Sequence, residues 1–211
     1  MKKLVFLFTA LLLLSVPMDV IAEGMSYVSG SVGGVYADDL EIEFGDGALL
    51  DFEFDEGYAF SAAIGGFLFD NWRAEAELAY QKNDFDKVSL AGSESADLDG
   101  DLDAWTFLGN FYYDFHNSTP FTPFLTAGIG GAFVEVTDLR SEAFESAHLA
   151  GGDDFGFAYQ AGAGLAWQVS EKLNVDFKYR WLGMDEADTR IPDTEFNSHN
   201  FYAGLRFLFK P

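Results

Sequence analysis

The sequence predicts an all-β fold: an eight-stranded antiparallel up-and-down transmembrane β-barrel with short turns at one end and long loops at the other. Three observations predict it. Apolar and polar residues alternate with a period of two over eight separate segments. The connections between those segments are alternately short and about 20 residues long. After the N-terminus, a chain that is 49% hydrophobic and 17% aromatic has no apolar run long enough to cross a bilayer as a helix.

Met1 to Ala22 consists of a positive start (Lys2, Lys3), an apolar run from Leu4 to Val16 and a small-residue exit at Val20-Ile21-Ala22. That order is the pattern of a secretory signal peptide cleaved after Ala22, and a run of about 13 residues falls short of the ~20 that a spanning helix needs. Residues 1–22 are expected to leave and residues 23–211 to form one barrel domain. Cysteine is absent, so no disulfide framework, thiolate metal site or Cys nucleophile exists.

The first two strands, Tyr27 to Tyr36 and Tyr58 to Phe69, alternate weakly because Gly and Ala blur the pattern. The third is clean: Trp72, Ala74, Ala76, Leu78 and Tyr80 share one face, and Arg73, Glu75, Glu77, Ala79 and Gln81 the other. Ala104 to Phe115 sets Trp105, Phe107 and Phe111 against Thr106, Asn110 and Asp114, and Phe121 to Val134 is again blurred. Phe155 to Val169 opposes apolar residues to Gly, Ala and Gln. Leu173 to Trp181 puts Leu173, Val175, Phe177, Tyr179 and Trp181 opposite Asn174, Asp176, Lys178 and Arg180. Asn200 to Phe209 puts Phe201, Ala203, Leu205, Phe207 and Phe209 opposite Asn200, Tyr202, Gly204, Arg206 and Leu208. Pro120 and Pro123 fall at a strand's start and Pro192 in a loop, where no ladder donor is lost. The short connections are Asp70-Asn71, His116 to Pro120 and Ser170 to Lys172. The long ones are Ala37 to Gly57, Lys82 to Asp103, Glu135 to Asp154 and Gly183 to His199. In outer-membrane barrels the short turns are periplasmic and the long loops extracellular.

Alternation alone leaves open which face meets lipid, since a secreted ligand-binding barrel points its apolar face inward. The polar face carries four cations (Arg73, Lys178, Arg180, Arg206) and four anions (Glu75, Glu77, Asp114, Asp176) among small residues. It is too sparse in charge for a wet exterior and suits a narrow lumen held by an ion-pair core. The four Trp all lie on the apolar face at strand ends, Trp72 and Trp167 beside short turns, Trp105 and Trp181 beside long loops, as aromatic girdles require. Eight steps from Trp72 to Tyr80, at ~3.3 Å per step and a tilt of ~40°, span roughly 20 Å, near the height of an apolar band. No position in this pattern is a specific metal site, and no cofactor is implied.

Charge is segregated. The net charge is −23, and without residues 1–22 the chain holds 34 acids and 10 bases. The four long connections carry nine acids and no base, seven and two, six and one, and five and one, so −23 of the remaining −24 lies there and the wall is neutral. Such a chain has no affinity for nucleic acid through phosphate neutralisation. In the first long connection, alternation around Gly45-Asp46-Gly47 predicts a hairpin extending the first two strands. Asp97, Asp99, Asp101 and Asp103 offer oxygens at every second position. Gly100 and Leu108 break the EF-hand frame, leaving at most a weak, collective divalent-cation effect.

YVSGSVGG, WRAEAELAYQKNDFD, TPFLTAGIGGAF, FAYQAGAGLAWQVSEKLNVDFKYRWLG and HNFYAGLRFLF together resemble the opacity-protein and OmpA-type family of small outer-membrane barrels, over nearly all of residues 23–211. The resemblance implies periplasmic termini, surface-exposed loops and insertion by the outer-membrane assembly machinery, with Tyr202, Gly204, Phe207 and Phe209 as the C-terminal insertion signal. Lys210-Pro211 departs from family members that stop on the aromatic. It also implies contact with outer-membrane lipid and lipopolysaccharide, and a monomer. His116, His148 and His199 are not expected to sit on a lipid-facing register beside a Ser and a carboxylate, the constellation a rim hydrolase needs, so no catalytic residue is assigned. The expected function is a non-enzymatic surface barrel presenting acidic loops for envelope integrity, adhesion or host contact, with no ligand specified. The alternative is a narrow cation-preferring channel.

Overall fold

The computed structural model describes residues 26–37, 40–43, 49–54, 56–90, 96–97, 101–136, 152–186 and 195–209. Among them are eleven strands and no helix: β1 (Ser26–Ala37), β2 (Leu40–Glu43), β3 (Leu49–Phe54), β4 (Gly57–Phe69), β5 (Trp72–Leu90), β6 (Ala96–Asp97), β7 (Asp101–Asp114), β8 (Phe121–Val136), β9 (Gly152–Gln168), β10 (Leu173–Glu186) and β11 (Glu195–Phe209). Eight of these close into an antiparallel barrel in the order β1-β4-β5-β7-β8-β9-β10-β11. β1 pairs with β11 from Ser26↔Phe209 to Ala37↔Ser198 and with β4 on its other side, so the wall has no edge. Closure gives each backbone amide and carbonyl in the wall a partner, which a lipid environment demands.

The strands run further than hydrophobic alternation foretold. β5 continues to Leu90, β7 begins at Asp101, β10 reaches Glu186 and β11 starts at Glu195. Parts of the expected long loops are therefore ladder. There side-chain polarity no longer alternates, while backbone pairing goes on. The hairpin foreseen in the first loop is β2 paired with β3, with Leu40↔Phe52 and Ile42↔Leu50. Beyond it β3 runs along the upper part of β5, with Leu50↔Leu90. Its tip, around Gly45-Asp46-Gly47, lies outside the described residues, as do the signal-peptide segment, His148 and Lys210-Pro211.

The short turns are built locally. The Asn71 carbonyl accepts from the Asp114 amide at 2.8 Å while Asn71 Nδ2 donates to the Asp114 carbonyl at 2.7 Å, locking the β4–β5 turn to the foot of β7. Asn117 Oδ1 accepts from the Thr119 amide at 2.7 Å, an Asx turn that reverses the chain before Phe121. Burial alternates along the wall: Phe111, Leu125, Ile129, Phe177 and Leu205 are half or more exposed on the outside, while Asn110, Thr126, Arg180 and Arg206 are buried inside. An exposed belt of this size and apolarity is stable against lipid rather than water.

Candidate functional site

All eight charged residues of the predicted core project into the lumen, and each is buried or nearly so. At the periplasmic end Arg73 Nε and Nη2 donate to Asp114 Oδ2 and Oδ1 at 2.7 and 2.8 Å. Its guanidinium lies 4.3 Å from the Tyr112 ring centre and within 6.0 Å of Phe124, Tyr27 and Phe67, a cation enclosed by aromatic faces. Arg206 makes the same two-point contact with Asp176, at 2.9 and 3.0 Å. Glu77 accepts from two cations, Arg180 Nη1 at 2.8 Å and Lys178 Nζ at 3.0 Å. Arg180 Nη2 continues to the Tyr202 hydroxyl at 2.6 Å.

Glu75 departs from the expected pattern of four cations bridging four anions. Among the described residues its carboxylate meets no cation within 4 Å; it accepts from the hydroxyls of Tyr27 (3.0 Å) and Tyr112 (2.9 Å) and from Asn110 Nδ2 (3.4 Å). Gln160 Nε2 extends this chain by donating to Asn110 Oδ1 at 2.7 Å. The reason is positional. Arg73, two residues below on the same strand face, is held by Asp114, and Lys178 and Arg180 both reach Glu77. The tyrosines were missed because a Tyr on the polar register of a Gly-rich strand reads as apolar noise. Counting by twos from Ser29 to Tyr27, or from Asn110 to Tyr112, would have placed them inside. The close fit extends to backbone: a Cβ on Gly65 would lie 2.5 Å from the Tyr27 ring, so only glycine leaves that ring room.

A second missed feature is apolar. Leu102, Ala104, Leu108, Ala132, Ala158, Leu182 and Met184 form a buried cluster inside the extracellular half of the barrel, on β7 to β10. Each sits on the inward register of its strand, two residues or a multiple of two from Asn110, Thr126, Gln160 or Arg180.

On the outside, Trp72, Trp105 and Trp167 are exposed and Trp181 is half-buried, in two rows at opposite ends of the wall. Tyr80 and Trp105 rings lie 5.0 Å apart, as do Trp72 and Tyr113. Of the proposed insertion residues, Phe207 faces outward, whereas Tyr202 and Gly204 face the lumen; Phe209 pairs with Ser26 at the periplasmic edge. Above Trp105 the predicted cation-loop residues separate. Asp101 binds Lys82 Nζ at 3.1 Å, Asp103 accepts from the Tyr80 hydroxyl, Asp97 stands opposite Lys87 in the β5–β6 ladder, and Asp99 lies outside the described residues. The ladder places Asp103 directly opposite Glu135, and Glu135 opposite Asp153.

His199 sits on the outward register of β11, with Nδ1 2.7 Å from the Tyr179 hydroxyl and the two rings stacked. Its sequence neighbour Ser198 points inward, so no serine–histidine pair forms there. His116 lies in the periplasmic turn beside Asn71.

Three comparisons fit this geometry. The outer membrane protein PagN of Salmonella typhimurium is 25% identical over 179 residues, 79% of this chain and 73% of its own. A Rickettsia bellii protein named as a candidate adhesin is 24% identical over 163 residues, 68% of this chain and 72% of its own. The solved outer membrane protein OprG from Pseudomonas aeruginosa superposes with a TM-score of 0.58 at 16% identity, covering 89% of this chain and 97% of that one, a likeness of fold. The family model for the outer membrane protein beta-barrel domain matches residues 6–209, and the chain belongs to that family of barrels of the Gram-negative outer membrane.

Proposed function

We propose that this barrel is a surface protein whose acidic loops make contact outside the cell, in adhesion or host contact, and that its wall serves as the anchor. The observation that carries this reading is the segregation of charge: the long connections hold −23, whereas the lumen balances four cations against four anions. A uniform, strongly negative outer end is a recognition surface, because its field steers encounters and selects partners by sign. The adhesin name of the Rickettsia relative points the same way. Insertion by the assembly machinery, with Phe207 and Phe209 at the signal, and residence beside lipopolysaccharide belong to the same proposal.

The row Asp103, Glu135 and Asp153 sets like charges directly opposite one another at the upper rim, which is destabilising unless screened. Divalent cations therefore act collectively on this end, bridging the rim to the anionic outer leaflet. A deletion strain compared with a complemented one, assayed for attachment to host cells and envelope permeability, tests the main reading. Attachment lost on deletion and restored by complementation supports it; unchanged attachment refutes it. Calcium titrated into detergent-folded protein tests the cation effect, and a melting temperature that does not move removes it. The narrow-channel alternative needs a continuous polar path through the lumen.

A further inference from the structure

The lumen is divided along its length. The ion-paired charges of the lumen lie in the periplasmic half, up to the level of Glu77 and Arg180. Directly above that level the described inward side chains are uncharged: Ala79, Gln81 and Asn83 on β5, Thr106, Ala104 and Leu102 on β7, Leu182 and Met184 on β10, and Asn200 and Ser198 on β11. These side chains are all buried. Among the described residues, space is divided in the same way. A cavity of about 530 Å³ opens at the short-turn end, with Asp114 and Arg206 in its floor and Phe67, Thr122 and Leu208 in its walls. Beside Glu75, Glu77 and Lys178 a void of about 20 Å³ follows, room for roughly one water.

We infer that the barrel is a cup open only to the periplasm, and that the barrier to permeation is the uncharged, buried layer directly above the ion pairs rather than the ion-pair layer itself. An ion that has entered the charged layer from below meets carboxylates and cations that replace part of its hydration. One step further out it meets leucine, methionine, alanine and neutral amides, with no counter-charge and no room for its water. Narrow apolar constrictions exclude ions by dewetting. The ion pairs hold the wall together, and the apolar cluster closes it.

The chain has no cysteine, so single thiols report access without background. Thr122→Cys marks the open cavity and Ala158→Cys the extracellular half. Each variant is refolded into vesicles whose orientation is fixed by protease shaving, and a small cationic thiol reagent is applied to one side at a time. Thr122→Cys is expected to react from the short-turn side alone, and Ala158→Cys from neither. Reaction of Ala158→Cys from either side, or of Thr122→Cys from the long-loop side, overturns the proposal. A Thr122→Cys protein that also carries Leu108→Ala, Leu182→Ala and Met184→Ala, checked for heat-modifiable migration, is then expected to react from both sides and to show unit conductance in planar bilayers. If that variant stays closed, or if Glu77→Gln with Arg180→Met opens the route in its place, the barrier is not the apolar cluster.

Discussion

Glu75 and Glu77 are the same residue type, two positions apart on one strand face and both buried, yet neutralising each is expected to have different consequences. Glu77→Gln removes the anion that faces two cations, at 2.8 and 3.0 Å. A unit charge pair about 4 Å apart between charge centres interacts by about 4 kcal/mol at an effective dielectric of 20, and breaking a buried pair typically costs about 3–5 kcal/mol because the partner is stranded. With two partners stranded, the upper part of that range applies, about 4–5 kcal/mol. Glu75→Gln leaves no cation stranded. Its donors are hydroxyls and an amide, the Gln oxygen still accepts, and the loss is the difference between charged and neutral hydrogen bonds, about 1–2 kcal/mol. The assay is reversible urea unfolding of protein refolded in detergent or thin bilayers, followed by Trp fluorescence. Adding Lys178→Met to Glu77→Gln is expected to recover part of the loss, since one stranded cation is then gone. Equal destabilisation by the two Glu→Gln changes, or a Glu77→Gln effect below about 1 kcal/mol, refutes the assignment of the cations to Glu77.

Other expectations follow from close contacts and exposure. Gly130→Ala drives a Cβ into the Phe107 carbonyl oxygen and places it 2.9 Å from Leu108 Cα, so backbone must move. A loss of about 3 kcal/mol or more, or failure to refold, is expected by urea titration, against no more than about 0.5 kcal/mol for Gly34→Ala, which meets nothing within 4 Å. Lys82→Ala removes an ion pair whose side chains are 27% and 40% exposed, and its effect on the same titration is expected to stay within about 1 kcal/mol. Lipids brominated along their chains are expected to quench most Trp emission, because all four Trp lie on the outer register, whereas a lumenal Trp would be shielded.

The wall was legible from sequence where two faces differ in solvent. WRAEAELAYQ alternates because Leu78 meets lipid and Glu77 meets a cation, and both ends of that stretch fall where the ladder places them. Legibility fails where polarity stops alternating. Lys82 to Leu90 pairs as strand, but its polar and apolar residues do not fall on separate registers. It fails again inside the lumen, where Leu182 and Met184 pack on the polar register beyond Arg180, so hydrophobicity cannot tell inside from outside. Which carboxylate takes which cation depended on stagger between strands far apart in sequence. Arg180 finds Glu77 across the barrel, 103 residues away, and only the closed ladder fixes that distance.

The central claim, that the loops act outside the cell and the wall anchors them, is tested most directly by attachment of cells displaying a variant in which the nine acids of residues 37–57 are exchanged for Asn and Gln while the wall is untouched. The variant is expected to keep its heat-modifiable folded form and to lose most of the attachment to host-cell monolayers that separates wild type from the deletion strain. Attachment at the wild-type level by that folded variant would contradict the claim.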